Sequence, residues 1–153
     1  MQSSIGFLGR LCLAAIFLLA GGHILLDWQA AEQHLVAGLC DWLSIAMGNQ
    51  SLQEVIEAGI NQCSLILSSI VFLTLGGGLL VLLGLSVRLG AFMLFLFALF
   101  NTILYHHFWT LHGVERQLQM ETFARNIGII GGLFLLMAYG RGIYKKPKEK
   151  SIT

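Results

Sequence analysis

The sequence predicts an all-α protein: a bundle of four transmembrane helices with a short amphipathic helix in the first loop outside the membrane. Three observations carry that expectation. Of the 153 residues, 56% are hydrophobic and only 11% charged, with a mean hydropathy of +0.78; a soluble domain is normally about a quarter charged, because a water-facing surface needs charge. The apolar residues gather into four windows of spanning length, and the single proline, Pro147, breaks none of them. The windows are continuous and lack the alternation of barrel strands, so helices remain as the way to satisfy backbone hydrogen bonds in lipid.

The first span covers residues 5–26, with Arg10 near its start. It has no short apolar core followed by an A-x-A site, so it reads as a signal anchor that stays. After it, Leu35, Val36, Leu39, Trp42, Leu43 and Met47 recur at helical spacing, while His34, Asp41 and Ser44 fall largely elsewhere on the wheel. That pattern predicts an amphipathic helix lying on the membrane surface or capping the bundle. Ser51 and Glu54 read as a capping box, from which the second helix projects before spanning at 65–85. The next connection is only Gly84 to Gly90, so the second and third spans are antiparallel neighbours. The third span, 89–109, is uncharged until His106. The fourth, 123–142, places Arg125 and Arg141 where they must snorkel toward headgroups. Glycines at 21–22, 76–78 and 131–132 allow close helix approach. A basic tail, 143–153, completes a single domain without repeats.

Basic residues set the expected orientation. With the amino terminus in the cytoplasm, Arg10, Arg88, Arg141, Lys145, Lys146, Lys148 and Lys150 lie inside, against only Arg116 and Arg125 outside. Positive charge favours the inside, so both termini are expected in the cytoplasm, with the lipid bilayer as the principal partner and the tail against anionic headgroups.

Polar residues collect at the opposite, outer face. They are His23 and Asp27 on the first helix, Asn61, Gln62, Ser68 and Ser69 on the second, His106, His107 and Trp109 on the third, and Arg125 and Asn126 on the fourth. Ionisable groups near lipid are costly and invite a functional explanation. The candidate ligand-binding set is His106, Trp109, Arg125, Asn126 and His23, against the alternative that these residues only anchor helix ends. His106 and Arg125 are expected to share one pocket, with His107 on another side of the helix. Histidine would exchange a proton with a carbonyl oxygen, Arg125 would stabilise developing negative charge, and Trp109 would stack on a ring. No metal motif is present, and nothing specific supports haem. Cys40 and Cys63 would both lie outside, where they either form a disulfide or stay as thiols; Cys12 reads as packing. No phosphate loop, nucleophile elbow or nucleic-acid patch occurs.

Three stretches resemble the DoxX family of small four-helix membrane proteins: GRLCLAAIFLLAG with Arg10 and Gly21, GGLLVLLGLSVRLGAFMLFLF with Arg88, and YHHFW followed by FARNIGIIGG. The last resembles a His-x-Phe-Trp and basic-Asn-x-x-x-x-Gly-Gly pattern, matched by His106, Phe108, Trp109, Arg125, Asn126, Gly131 and Gly132. Ile24 stands where that family commonly has lysine, Thr74 where it has glutamate, and Arg125 where it often has lysine. The resemblance implies a membrane protein that is a redox-associated or quinone-linked subunit. Further expectations are a bacterial inner-membrane location and a quinone-like ligand, with a redox protein partner and a homo-oligomer as possible associations. The alternative function is a non-enzymatic assembly protein that recruits a partner.

Overall fold

The computed structural model describes residues 2–46, 48–105 and 112–140. In chain order the helices are α1 (Gln2–Leu26), α2 (Trp28–Ile45), α3 (Gln50–Asn61), α4 (Cys63–Val71), α5 (Gly77–Leu83), α6 (Val87–Tyr105) and α7 (Gly113–Tyr139), with no strand among the described residues. A π-helical turn, Phe72–Gly76, joins α4 to α5. Four segments are long and apolar enough to cross a membrane: Gly6–Leu26, Cys63–Leu83, Val87–Tyr105 and Gly113–Tyr139. The chain is an all-α bundle, as its composition predicts.

The bundle centre is dry and built from four helices. Ala14 and Phe17 of α1 meet Val81 of α5, Ala91, Leu94 and Ala98 of α6, and Ile130 and Leu133 of α7. Phe17 and Phe97 pack edge to face, with ring centroids 6.0 Å apart. The outward faces are apolar too: Leu19, Phe72 and Leu135 are 75%, 69% and 62% exposed, which suits a lipid setting rather than water.

Helix pairs are held where side chains are smallest. A Cβ added to Gly90 would lie 2.8 Å from the Gly77 carbonyl oxygen, and one added to Gly77 would lie 3.0 Å from the Gly90 carbonyl oxygen. The two backbones therefore touch directly, which brings α5 and α6 together as the short connection predicts. Gly84 makes the reversal between them by taking φ 70° at the end of α5. Gly21 of α1 faces Thr74, whose Oγ1 would lie 2.6 Å from an added Cβ, and Gly78 faces Leu18 of α1. Thr74 is fully buried. Its hydroxyl donates to Ile70 O and Val71 O at 2.9 and 3.1 Å, filling carbonyls loosened by the π turn. Of the glycines picked out in the sequence, Gly22 and Gly131 meet open space and Gly132 only touches Leu13 at 3.5 Å.

Several expected boundaries move. The amphipathic segment is two helices, α2 and α3, not one. Asp27 starts α2 by accepting the Ala30 amide at its side chain, so the helix begins well before Leu35. Along α2, Leu35 and Leu39 do face inward as the spacing predicts, joining Leu67 of α4 and Leu104 of α6 in a second cluster with Trp42 and Tyr105. The indole Nε1 of Trp42 donates to Leu104 O at 3.1 Å, fixing α2 across the end of α6. The Ser51–Glu54 capping box does not form: α3 starts one residue earlier, at Gln50, with Asn49 as its N-cap and no side-chain capping bond. Nor does that helix run on into the span, because the chain bends at Gln62, with φ −116° and ψ 25°. The expected loop between the last two spans is helical from Gly113 onward. Its residues, among them Glu115, Arg116, Gln117 and Gln119, are good helix formers with no proline to stop them. At 27 residues, α7 is about 40 Å long, longer than the roughly 30 Å of a bilayer's apolar core.

Gly90→Val is expected to destabilise the bundle by about 1–3 kcal/mol or more, because a backbone oxygen cannot move aside. Gly22→Val, facing open space, should be tolerated. Thermal or denaturant unfolding of the two variants in the same detergent checks the contrast. Trp42→Phe keeps the ring and removes one hydrogen bond, at a cost of about 1 kcal/mol. Hydrogen exchange should then quicken in α2 while α5 and α6 stay protected.

Candidate functional site

The chain bends at Asp27, a single residue between α1 and α2. This turn lays the first half of α2 beside the ends of α1, α4 and α6 without closing the space between them. A half-open cavity of about 500 Å³ results, within the roughly 300–1,000 Å³ of small-molecule sites.

Its lining changes with depth. Ala20 of α1, Ile70 of α4 and Phe97 of α6 line the deeper part, and Ile24, Leu35, Leu67 and Phe100 continue the apolar wall. His23, Asp27, His34, Asn101 and Tyr105 supply polar groups. From Phe97 to Tyr105 the wall of α6 rises about 12 Å at 1.5 Å per residue, with Asn101 halfway. The imidazole of His34 packs on the Tyr105 ring, centroids 4.6 Å apart and planes at 52°. Gly38 makes room for that tyrosine, since a Cβ there would lie 2.9 Å from Tyr105 Cε1.

The polar groups are unevenly satisfied. Asp27 Oδ1 accepts the Ala30 amide at 3.3 Å. The side-chain polar atoms of His23, His34, Asn101 and Tyr105 have no hydrogen-bond partner among the described residues. By contrast, Ser68, Ser69 and Thr102 bond back to carbonyls of their own helices at 2.8, 2.9 and 2.6 Å. Asn101 and Tyr105 are half-buried in a spanning helix, where an unmet donor or acceptor is costly. Together the cavity offers donors and acceptors at one end and an aromatic, apolar slot at the other.

Of the residues singled out in the sequence, His23 lines this cavity. Arg125 and Asn126 do not line it. Arg125 is exposed, and its Nη2 donates to Thr122 Oγ1 on its own helix at 3.0 Å; Asn126 is half-buried on α7. His106, His107 and Trp109, and with them the expected pairing of His106 with Arg125, lie outside the described residues. Asn101, Tyr105 and Phe100 are additions. Asn101 was legible as the one amide inside an otherwise uncharged span, and His34 as a polar residue off the buried face of its helix. No cluster of three or more metal-binding side chains occurs among the described residues.

Cys40 and Cys63 are free cysteines in the structure. Cys63 Sγ donates to Glu32 Oε1 at 3.0 Å, tying α4 to α2.

The chain matches, over residues 2–139, the model of a family described as HR-like lesion-inducing. No curated protein and no solved structure gives a significant match. The family match overturns the resemblance to DoxX. The motifs behind that resemblance are boundary aromatics, a snorkelling arginine and small residues, which serve any bundle of apolar helices; Gly131, part of the pattern, meets open space. The matched stretch takes in every described helix, and the chain therefore belongs to the HR-like lesion-inducing family.

Proposed function

We propose that this is an integral membrane protein that binds a small amphipathic molecule in the cavity between α1, α2, α4 and α6. The observation that carries this reading is the lining: an apolar, aromatic depth beneath a rim of polar groups that lack partners among the described residues. Such a lining accepts a tail inward and a head group at the rim. A quinone-like molecule is one member of that class, with His23, His34 and Tyr105 able to hydrogen-bond a carbonyl or hydroxyl. The thiol held on a carboxylate, Cys63 on Glu32, does not line the cavity, and no serine, threonine, cysteine or lysine is among the described lining residues; binding, with or without electron transfer by a partner, is therefore favoured there over hydrolysis or group transfer. His106, next to Tyr105 in the sequence, is retained as a proposed ligand-binding residue. Arg125, bonded within α7, fits the anchoring role better. The family description names lesion induction and no chemistry.

A second reading rests on α3. None of its residues is buried, and Leu52 and Val55 are 51% and 69% exposed beside Glu54 and Glu57. That amphipathic surface suits recruitment of a partner by a non-enzymatic assembly protein.

Mass spectrometry of small molecules retained after gentle detergent purification tests the first reading. An amphiphile held stoichiometrically is expected, and Asn101→Leu, removing one rim group and filling space, should lower its retention about tenfold, as the loss of a hydrogen bond and of volume implies. The variant's unfolding temperature verifies that it is folded. Equal retention by the variant would remove the cavity from consideration. A ligand-free protein that co-purifies one-to-one with another protein would favour the second reading.

The proposed orientation places the cavity on the extracytoplasmic side and both termini in the cytoplasm, on the seven-to-two distribution of basic residues. In a variant with Cys12, Cys40 and Cys63 replaced by serine, Gln119→Cys should react with an impermeant thiol reagent from outside and Lys150→Cys only from inside. Labelling of the first from the cytoplasmic side alone would reverse the arrangement.

A further inference from the structure

The cavity's charge is one-sided. Among the described lining residues, Asp27 is the only one with a formal charge when histidine is neutral, and none is lysine or arginine. Asp27 also caps α2. The amino end of a helix carries about half a positive elementary charge, which offsets the carboxylate only in part. One oxygen, Oδ1, takes the Ala30 amide. The other has no hydrogen-bond partner among the described residues. The cavity that Asp27 lines is also lined by the rings of Tyr105 and His34 and, deeper, of Phe100 and Phe97, and the Asn101 amide offers a further acceptor. A carboxylate together with aromatic faces is the chemistry that holds an ammonium group, the rings contributing through their negative faces. The same surroundings disfavour a phosphate or carboxylate head, which would meet one like charge and no lysine or arginine among the described lining residues.

We infer that the cavity selects an amphiphile with a cationic, ammonium-type head, held by Asp27 and the aromatic rim, over neutral or anionic amphiphiles of the same shape. The inference rests on the proposed ligand-binding role of the cavity and narrows its ligand class. The head sits at the Asp27–Tyr105 level, and the tail runs down past Phe100 toward Phe97, Ala20 and Ile70. The roughly 12 Å of wall between Tyr105 and Phe97 accommodates a phenyl ring with a short alkyl chain.

The test uses the full chain in nanodiscs of zwitterionic lipid. Binding of a radiolabelled hexylphenyl-trimethylammonium ion is compared with that of its uncharged carbon isostere, hexyl-tert-butylbenzene, with uptake by empty nanodiscs subtracted. Wild type is expected to prefer the ammonium by about tenfold. Asp27→Asn should bring the two probes to within about twofold, while α2 stays capped because asparagine caps a helix about as well as aspartate. Circular dichroism and unfolding temperature confirm that the variant keeps its fold. Equal saturable binding of both probes by wild type would overturn the cationic preference and leave the ligand-binding role standing. An ammonium preference that survives in Asp27→Asn would overturn the assignment to Asp27. Absence of saturable binding of either probe would overturn the inference together with the binding role on which it rests.

Discussion

The backbone contact between Gly77 and Gly90 fixes the geometry on which the rest of the bundle depends. In lipid, apolar side chains gain little by leaving the solvent, because the solvent is itself apolar. Association then rests on how closely two helices can approach and how many atoms they bring into contact. With no side chain at either glycine, α5 and α6 meet carbonyl to Cα. The connection at Gly84 permits no other partner for α5 at that end. Once this pair is set, α1 fits against its face through Gly21 and Gly78, and α7 closes the far side of α6 through Ile130 and Leu133.

The π-helical turn follows from the same requirement. One extra residue in the span must be absorbed somewhere, and the Phe72–Gly76 segment absorbs it where α1 carries a glycine. Thr74 donates its hydroxyl hydrogen to its own helix, so the oxygen that lies against Gly21 of α1 brings no unmet donor there. A glutamate side chain could not replace it without pushing α1 away. The same close packing stops short of the α2 end of the bundle. There the helix partners are Trp42, Tyr105 and Leu35, bulky groups that hold α2 above the spans and leave the space beneath it open.

Much of the fold was legible because lipid demands a simple pattern. Four uninterrupted apolar windows, a seven-residue connection from Gly84 to Gly90 and a helical stripe at Leu35, Leu39 and Trp42 each state a local physical requirement. Helix ends were harder to read. Asp27 caps α2 although its neighbours look like the end of a span, and polar residues such as Gln117 and Gln119 continue a helix as readily as they form a loop. The site was legible only in part. His23 stood out as an ionisable group near lipid. Arg125 stood out equally, yet it is satisfied by Thr122 one turn away, a local solution that a list of charged residues does not reveal. Asn101 and Tyr105 come to His34 only through packing of α2 over α6, fixed by Trp42 and Gly38. These contacts are between residues more than sixty positions apart, and periodicity carries no information at that range. Small-residue and aromatic motifs, shared by unrelated bundles, misled the family assignment for the same reason: they report the solvent rather than the ancestry.

The one-residue link at Asp27 has a mechanical consequence. The backbone of α1 passes to α2 through a single pair of dihedral angles, φ −131° and ψ 68°, and the cavity takes its walls from both helices. If the cavity binds a ligand as proposed, occupancy and the angle between the two helices would share one free energy. Whatever fixed that angle from above, by pressing on α2 or α3, would then change affinity below by the same factor that occupancy changed the angle. In that case α2 and α3 would act as a lever on the cavity, with Asp27 as its fulcrum and the Trp42 bond to Leu104 O as the contact that holds it.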